Sequence, residues 1–320
     1  MTGFEERGGS RNGGVVPIHG RGGASVEQKG ILDSRVLPDP KFDALWESII
    51  IDEATKGQLL AQAVLNFTAR AKLQKQALPM HGLIVLIGPP GTGKTSLARG
   101  LASRAAASLK NATVRYLEVE PHALASAALG KSQQAVRHLL GTVVSEHASA
   151  GPCIVVLDEV ETLAASRAKM SMEANPVDVH RATDAVLAQL DQLAANYPQV
   201  LFIATSNFVQ AIDEAFLSRA DLIVHVDKPE AAACGEILKD TVRRLVAAFP
   251  KLEGKFEHRE LERIAKRCVG LDGRRIRKAV VSALSRSKEI ALDPSQLTVA
   301  DILATVEAAQ TERERMEGGR

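Results

Sequence analysis

The stretch Leu83-Ile-Val-Leu-Ile-Gly-Pro-Pro-Gly-Thr-Gly-Lys-Thr95 decides the fold of this 320-residue chain. Its first five residues form a continuous apolar run, which predicts a strand buried on both faces. The Gly-x4-Gly-Lys-Thr pattern that follows, from Gly88 to Thr95, is typical of a phosphate-binding loop between a strand and a helix. Its glycines let backbone N–H groups point at phosphate oxygens, and the N-terminus of the next helix adds partial positive charge. The stretch therefore predicts a nucleoside triphosphate site.

Two side chains of this loop have predicted tasks: Lys94 reaches the β- and γ-phosphates, and Thr95 ligates Mg²⁺. The predicted cofactors are therefore ATP and Mg²⁺. Around these two residues we expect the nucleotide to contact Pro90, Gly91, Thr92, Gly93 and Ser96. A chance glycine-rich turn is the alternative interpretation. The buried strand before the loop and the alanine-rich helix predicted after it argue against that alternative.

Strand-like and helix-like segments alternate between Gly82 and Val226, which predicts a three-layer α/β domain around a mostly parallel five-stranded sheet. After Pro229 the patterns indicate helices alone, which predicts a small all-α C-terminal lid domain. The four lid helices are expected at 229–248, 257–268, 274–290 and 299–310, with frayed residues from 311 to 320. The predicted division is a disordered arm at 1–35, an ATPase domain at 36–228 and a lid at 229–320.

The predicted arm holds nine of the 24 glycines and few apolar side chains, so it cannot bury enough surface to offset the entropy of ordering. Across the whole chain 40 Lys and Arg face 38 Asp and Glu, a balance that gives no global attraction to nucleic acid or membrane. There is no apolar leader, and the three cysteines are widely spaced. We expect a cytoplasmic protein with reduced cysteines and no membrane partner.

Two carboxylates follow a second buried strand, Cys153–Leu157, at the sheet edge where such domains bind ligands. Asp158 is predicted to hold the water shell of Mg²⁺, and Glu159 to polarise the attacking water as a general base. Taken alone, an apolar run that ends in Asp-Glu is often only a strand entering a turn. The phosphate loop upstream favours the catalytic interpretation.

Three further residues complete the predicted catalytic set: Asn207, Arg219 and, in the lid, Arg274. Asn207 follows the strand Val200–Ala204 and is expected to orient the lytic water; a turn-starting Asn is the alternative. Arg219 is predicted to be an arginine finger that acts on a neighbouring subunit's nucleotide, which requires a closed head-to-tail ring. Its alternative is a surface ion pair with Asp213 or Asp221.

In the lid, Arg274 is expected to reach the γ-phosphate of its own subunit, with Gly273 beside it at the nucleotide. These two residues lie in the basic segment Lys266–Lys278, where six basic side chains face one acid. An ordinary solvent-facing helix surface is the alternative interpretation for that segment. The remaining basic residues of the cluster have no predicted role at the site.

The ordered motifs resemble those of the AAA+ ATPases and, in detail, the pachytene-checkpoint remodeller family. The resemblance extends from about Leu37 to the lid, and its most discriminating parts are the segment around Trp46 and Ser218-Arg-Ala-Asp221. The motifs that carry it are Leu37-Pro-x3-Phe-Asp-x-Leu-Trp46, Gly88-Pro-Pro-Gly-Thr-Gly-Lys-Thr-Ser-Leu97, Asp158-Glu-Val-Glu161, Thr205-Ser-Asn207, Ser218-Arg-Ala-Asp221 and Gly270-Leu-x-Gly-Arg274.

The resemblance implies a homo-hexameric ring that pulls HORMA-domain proteins through its pore, opens them and releases their bound peptide. In bacteria it implies anti-phage defence, where a similar ATPase accompanies a HORMA protein and a cyclic-oligonucleotide synthase and switches their signal off. It also implies two pore loops. In the first, Ser126–Gly130, Leu129 is the only sizeable apolar side chain where the family has an aromatic pair. The second is Ser166–Asp178, with Met170 and Met172 near the channel.

The chain departs from the family's eukaryotic members at its start, where a glycine-rich arm stands in place of a folded adaptor-docking domain. We therefore expect recognition of the HORMA protein without an adaptor. Two other functions stay open on sequence grounds: a DNA-associated AAA+ ATPase, such as a loader or transposition regulator, and a nucleotide-gated scaffold with little turnover. The near-neutral charge weighs against the first, and the complete catalytic set weighs against the second.

Overall fold

The computed structural model describes residues 30–75, 78, 80–110, 112–119, 132–162, 164 and 176–318. Its centre is a six-stranded sheet in the order β1-β3-β4-β5-β2-β6. Strands β2 to β6 run parallel, and β1 pairs antiparallel with β3. The strands are β1 (Ile31–Leu37), β2 (Leu83–Ile87), β3 (Val114–Val119), β4 (Cys153–Leu157), β5 (Val200–Ser206) and β6 (Leu222–His225).

Helices cover both faces of the sheet and form the C-terminal part. In the sheet domain they are α1 (Pro40–Ser48), α2 (Glu53–Thr68), α3 (Arg70–Lys75), α4 (Lys94–Ser108), α5 (Ser132–His138), α6 (Ser145–Ser149), α7 (Pro176–Asn196) and α8 (Glu214–Leu217). A π-helical segment, Leu139–Val144, joins α5 to α6. The C-terminal helices are α9 (Ala231–Ala248), α10 (His258–Arg267), α11 (Gly273–Ser282), α12 (Lys288–Leu292) and α13 (Val299–Gly318).

The central strands alternate their side chains between two apolar cores. Leu83, Val85 and Ile87 of β2 belong to one core, whereas Ile84 and Leu86 belong to the other, and all five are buried. This division is what a continuous apolar run requires when helices pack on both faces of a parallel sheet. The three-layer α/β prediction is confirmed. A third core, made by the C-terminal helices, forms the helical lid.

The predictions of a five-stranded sheet and of a disordered arm reaching residue 35 are wrong in one respect. Residues 31–37 form β1, a sixth strand whose partners run from Val119 back to Val114 on β3. Leu32 and Val36 of β1 are largely exposed. An edge strand that gains backbone hydrogen bonds but buries little apolar surface carries a weak sequence signal, which explains the missed strand.

Two predictions in the lid also need correction. The single helix expected at 274–290 is broken, because Ser287 caps a new helix by accepting the Ile290 N–H at 3.2 Å. The frayed end expected at 311–320 is wrong as far as residue 318, where α13 ends. Inside that helix Gln310 donates to the carbonyls of Arg267 and Val269, at 2.6 and 2.8 Å, and so fastens it to the lid.

The predicted pore loops fall largely on residues that the structure does not describe. Leu129, Met170 and Met172, with the first predicted pore loop and nearly all of the second, lie outside the described residues. None of the helices in the described part of the chain combines the length and the apolar character that a membrane span requires.

Candidate nucleotide site

The loop after β2 has the backbone that its glycines predict. Gly91 and Gly93 have φ values of +84° and +97°, in the left-handed region that favours glycine. Space is restricted as well, because a Cβ on Gly91 would meet the Asp272 carboxylate and one on Gly93 would meet Ile49 Cδ1 at 2.5 Å. Gly93 lies immediately before α4, so the free N–H groups at the start of α4 face the loop. The loop is thus shaped for an anion at a helix N-terminus.

Lys94 is held inside this loop and is 6% exposed. Its ammonium donates to the carbonyls of Gly88 and Pro89, at 2.8 and 2.9 Å, and to Asn207 Oδ1 at 2.9 Å. Burial lowers the pKa of Lys94, and the nearby carboxylates, led by Glu161, oppose that shift. A cation held by neutral oxygens can exchange them for phosphate oxygens, which bind it more strongly.

Thr95 and Asp158 meet at the place predicted for the metal. The Thr95 hydroxyl donates to Asp158 Oδ1 at 2.8 Å, and the Thr205 hydroxyl donates to the same oxygen. Mg²⁺ takes oxygen ligands and is commonly bound by one or two protein groups, with waters and phosphates completing its shell. A hydroxyl and a carboxylate side by side beside a phosphate loop fit that ion. Thr205 was not predicted as a site residue, although it lies in the polar end of β5 that drew attention to Asn207.

Glu159 and Asn207 are joined directly. Asn207 Nδ2 donates to Glu159 Oε1 at 3.2 Å, while its Oδ1 accepts from Lys94, so one amide links the phosphate-binding lysine to the predicted base. Glu159 has a φ of +52°, which costs a non-glycine residue about 1–3 kcal/mol. Its own N–H is bonded to the Thr205 hydroxyl at 3.1 Å, which helps hold this backbone. Glu161 Oε1 accepts the backbone N–H of Asn207 at 3.1 Å, which helps to fix the position of Asn207.

A cavity of about 110 Å³ collects most of the predicted site residues. Arg274 lies at its mouth, and the Arg274 N–H donates to the Gly91 carbonyl at 3.3 Å, which joins the start of α11 to the phosphate loop. The arrangement can hold phosphates, a metal ion and a water near a carboxylate. Predicted residues that line it are Pro90, Gly91, Gly93, Lys94, Thr95, Ser96, Asp158, Glu159, Asn207 and Arg274.

A second, larger cavity of about 300 Å³ continues from the loop between α1, α4 and the lid. Thr92 and Gly273, the remaining predicted contacts on this side, line it together with Ile49, Ile51 and Ile237. An apolar cleft next to a phosphate loop suits a nucleobase. Ile49, Ile51 and Ile237 were not predicted as site residues. The apolar run Ile49–Ile51 directly after α1 is the signal that was available in the sequence.

Arg219 is the one predicted site residue that lines neither cavity. Its Nε and Nη2 donate to the two carboxylate oxygens of Asp191, both at 2.7 Å, and Nη1 donates to the Ala215 carbonyl at 2.6 Å. The hydrogen bonds that Arg219 donates to Asp191 raise the pKa of Arg219, and the guanidinium lowers the pKa of Asp191. The structure thus gives Arg219 a bidentate partner in Asp191 on α7, where the alternative interpretation expected Asp213 or Asp221. Asp213 contributes a smaller electrostatic share to the raised pKa of Arg219.

Sequence comparisons point in one direction. The model of the ATPase family associated with various cellular activities matches residues 84–228. CD-NTase-associated protein 6 of Pseudomonas aeruginosa is 53% identical over 292 residues, which cover 91% of this chain and 95% of that protein. The pachytene checkpoint protein 2 homolog of Arabidopsis thaliana is 32% identical, over 78% of this chain and 61% of the homolog. This chain therefore spans about three fifths of that plant relative.

Comparisons of structure agree on the fold. The structure of C. elegans PCH-2 matches with a TM-score of 0.69 and 26% identity, over 89% of this chain and 77% of that one. A chain in the E. coli MS115-1 HORMA:CdnC:Trip13 complex matches with a TM-score of 0.70 and 16% identity, over 88% and 95%. At that identity the second likeness shows the fold alone.

Proposed function

The chain belongs to the AAA ATPases, in the group that includes CD-NTase-associated protein 6 and the pachytene checkpoint proteins, and from this premise we propose that it is a Mg²⁺-dependent remodeller of HORMA-domain proteins. One observation carries the chemical part of the proposal. Lys94, the pair Thr95 and Asp158, and the pair Glu159 and Asn207 surround a single cavity. ATP hydrolysis to ADP and phosphate needs that set.

Each residue has a task in this reaction. Lys94 binds the β- and γ-phosphates, while Thr95 and Asp158 would hold a Mg²⁺ ion, which when bound would supply neutralising charge for the phosphates. Glu159 accepts a proton from the attacking water, and Asn207 holds the carboxylate of Glu159 in place. Arg274 brings the lid to the phosphates, so that opening or closing of the lid follows the nucleotide state.

The proposed assembly is a homo-hexameric ring. Arg219 lies outside the cavities of its own subunit, so it stabilises the transferring phosphoryl group only on a neighbour's nucleotide. Head-to-tail contacts that repeat by rotation close into a ring, which gives every site one finger. A ring also supplies the central pore that pulling a protein substrate requires.

The proposed substrate is a HORMA-domain protein that works with a cyclic-oligonucleotide synthase in bacterial anti-phage signalling, which this ATPase would switch off. Two relatives support this assignment. CD-NTase-associated protein 6 carries an association with such a synthase in its name, and the E. coli complex contains a HORMA protein and CdnC together with the chain of similar fold.

A substrate-trap experiment tests this assignment. Glu159→Gln should keep ATP binding and lose hydrolysis, because the amide cannot accept the water's proton, so the variant stays bound to its substrate. With ATP and Mg²⁺, tagged Glu159→Gln is expected to retain the HORMA protein of the same genome in a pull-down. The identity of the retained protein is read by mass spectrometry.

The matched control is Lys94→Ala, which should retain no HORMA protein because it does not bind the nucleotide. ATPase rates measured with HORMA protein and with duplex DNA provide the second readout, and stimulation is expected from the HORMA protein alone. If the wild type hydrolyses ATP while the trap retains no HORMA protein, the substrate assignment is wrong. Stimulation by DNA instead would favour a DNA-associated ATPase.

A further inference from the structure

The Arg219 guanidinium is held along one edge. A guanidinium has five N–H donors. Asp191 takes one on Nε and one on Nη2, and the Ala215 carbonyl takes one on Nη1. Among the residues that the structure describes, these bonds leave one N–H on Nη1 and one on Nη2, at the end of the group. A side-on carboxylate therefore fixes the plane of the guanidinium while it leaves donors for phosphate oxygens.

The turn that carries Arg219 is fixed separately. Asp221 accepts hydrogen bonds from the N–H groups of His81, Gly82 and Leu83, at 3.0, 2.6 and 3.2 Å, and its own N–H donates to the Leu83 carbonyl at 2.8 Å. These bonds fasten the backbone after Arg219 to the start of β2. The backbone position and the orientation of the side chain thus depend on two different carboxylates.

We propose that Asp191 is a positioning residue for the arginine finger: its carboxylate holds the Arg219 guanidinium at the angle from which the two remaining N–H donors reach the neighbouring subunit's γ-phosphate. The inference rests on the proposed function, in which Arg219 acts in trans. Without Asp191 the guanidinium keeps its charge and its single bond to the Ala215 carbonyl, which does not fix the plane of the group. Few of its orientations then match the transition state, so the loss falls on turnover and not on nucleotide binding.

The bidentate pair is not needed merely to hold the fold together. Asp191 is 46% exposed and Arg219 is 22% exposed, and ion pairs at such sites contribute little to stability. The imidazole of His81 also lies near Asp191, with its Nε2 3.8 Å from Oδ1. A parallel, two-bond contact of this kind adds geometric specificity as well as energy, so it fixes the orientation of the guanidinium.

The test uses the full-length protein and asks on which side of the subunit interface the defect lies. Asp191→Asn is expected to lower kcat about tenfold while KM for ATP stays within about twofold, because only transition-state contact is lost. Asp191→Glu, which restores the carboxylate, should recover part of that kcat. Glu236→Gln is the matched control: it also removes a carboxylate from an exposed ion pair, with Lys239 in the lid, and should keep the wild-type rate.

Mixed rings of two variants then distinguish a role of Asp191 in orienting Arg219 from a general effect on the subunit. Asp191→Asn subunits co-expressed with Glu159→Gln subunits should recover activity, since the latter donate an intact finger to sites that keep Glu159. Co-expression with Arg219→Ala should give no recovery, because both variants are defective on the donating side. Should Asp191→Asn fail to fold, Asp191→Ala takes its place in the same test.

The outcomes distinguish this inference from the proposal beneath it. A wild-type kcat for Asp191→Asn, or recovery when it is mixed with Arg219→Ala, overturns the positioning role while the finger assignment stands. An active Arg219→Ala protein overturns the finger assignment itself. Loss of activity in the Glu236→Gln control would show that removal of any surface carboxylate has this effect, and would also overturn the inference.

Discussion

Lys94 and Arg219 are the two basic side chains that the proposed reaction needs most, and their surroundings differ in every respect. Lys94 is buried, its pKa is lowered by burial, and its ammonium donates to three neutral oxygens of its own site. Arg219 is partly exposed, its pKa is raised, and a carboxylate holds it outside both cavities.

The difference indicates a divided site. A cation that binds ground-state phosphates should be buried beside them with neutral partners, which give way to a phosphate when it arrives. A cation meant for a neighbour's phosphate must reach the surface of its own subunit, and there it needs a partner that keeps its orientation. We therefore expect the residues around Lys94 to bind the nucleotide, and Arg219 to accelerate hydrolysis in the neighbouring subunit.

The largest expected effect comes from removing Lys94. Lys94→Ala should weaken ATP binding by about a hundredfold or more, because hydrogen bonds between charged groups each contribute about 1.5–3 kcal/mol. Arg219→Ala should leave the Kd within about twofold while hydrolysis falls roughly a thousandfold. Isothermal titration with a non-hydrolysable ATP analogue, beside ATPase rates, measures both effects. Equal losses of binding in the two variants would break the comparison.

A smaller effect is expected at the nucleobase side. Arg277 of α11 donates to the Ser48 carbonyl at the end of α1 and to Asp240 Oδ2 at 3.0 Å, so it ties the lid to one wall of the larger cavity. Arg277→Ala should loosen that wall and raise KM for ATP roughly fivefold, with kcat almost unchanged, as expected for the loss of about 1 kcal/mol, the size of one ordinary hydrogen bond. Steady-state kinetics distinguish this from a fall in kcat, which would place Arg277 on the turnover side instead.

Much of the fold and of the nucleotide side could be predicted from the sequence because the signals there are local. A continuous apolar run, glycines at left-handed positions and carboxylates directly after a strand each follow from a few consecutive residues. Ten of the predicted site residues line the smaller cavity. The cap of α13 is equally local, since Thr298 and Asp301, three residues apart, bond to each other's backbone N–H at 3.0 and 3.3 Å.

What could not be predicted depends on residues far apart in the chain. Asp191 precedes Arg219 by 28 residues, across the end of α7, β5 and α8, and nothing in its own neighbourhood marks it as a partner. The edge strand β1 depends on backbone bonds to β3, which leave little trace in side-chain pattern. Asp191 was missed as the bidentate partner for a related reason, because Asp213 and Asp221 were chosen for closeness in sequence to Arg219.

The central claim, that each active site is completed by a neighbour, is tested most directly by mixing two inactive proteins. Glu159→Gln lacks the base and Arg219→Ala lacks the finger, yet in a mixed ring a Glu159→Gln subunit can donate its arginine to a site that keeps Glu159. With random head-to-tail assembly at equal amounts, about a quarter of sites should be complete. The account predicts that co-expressed variants recover about that fraction of the wild-type ATPase rate. A mixture that forms rings but stays inactive would contradict it.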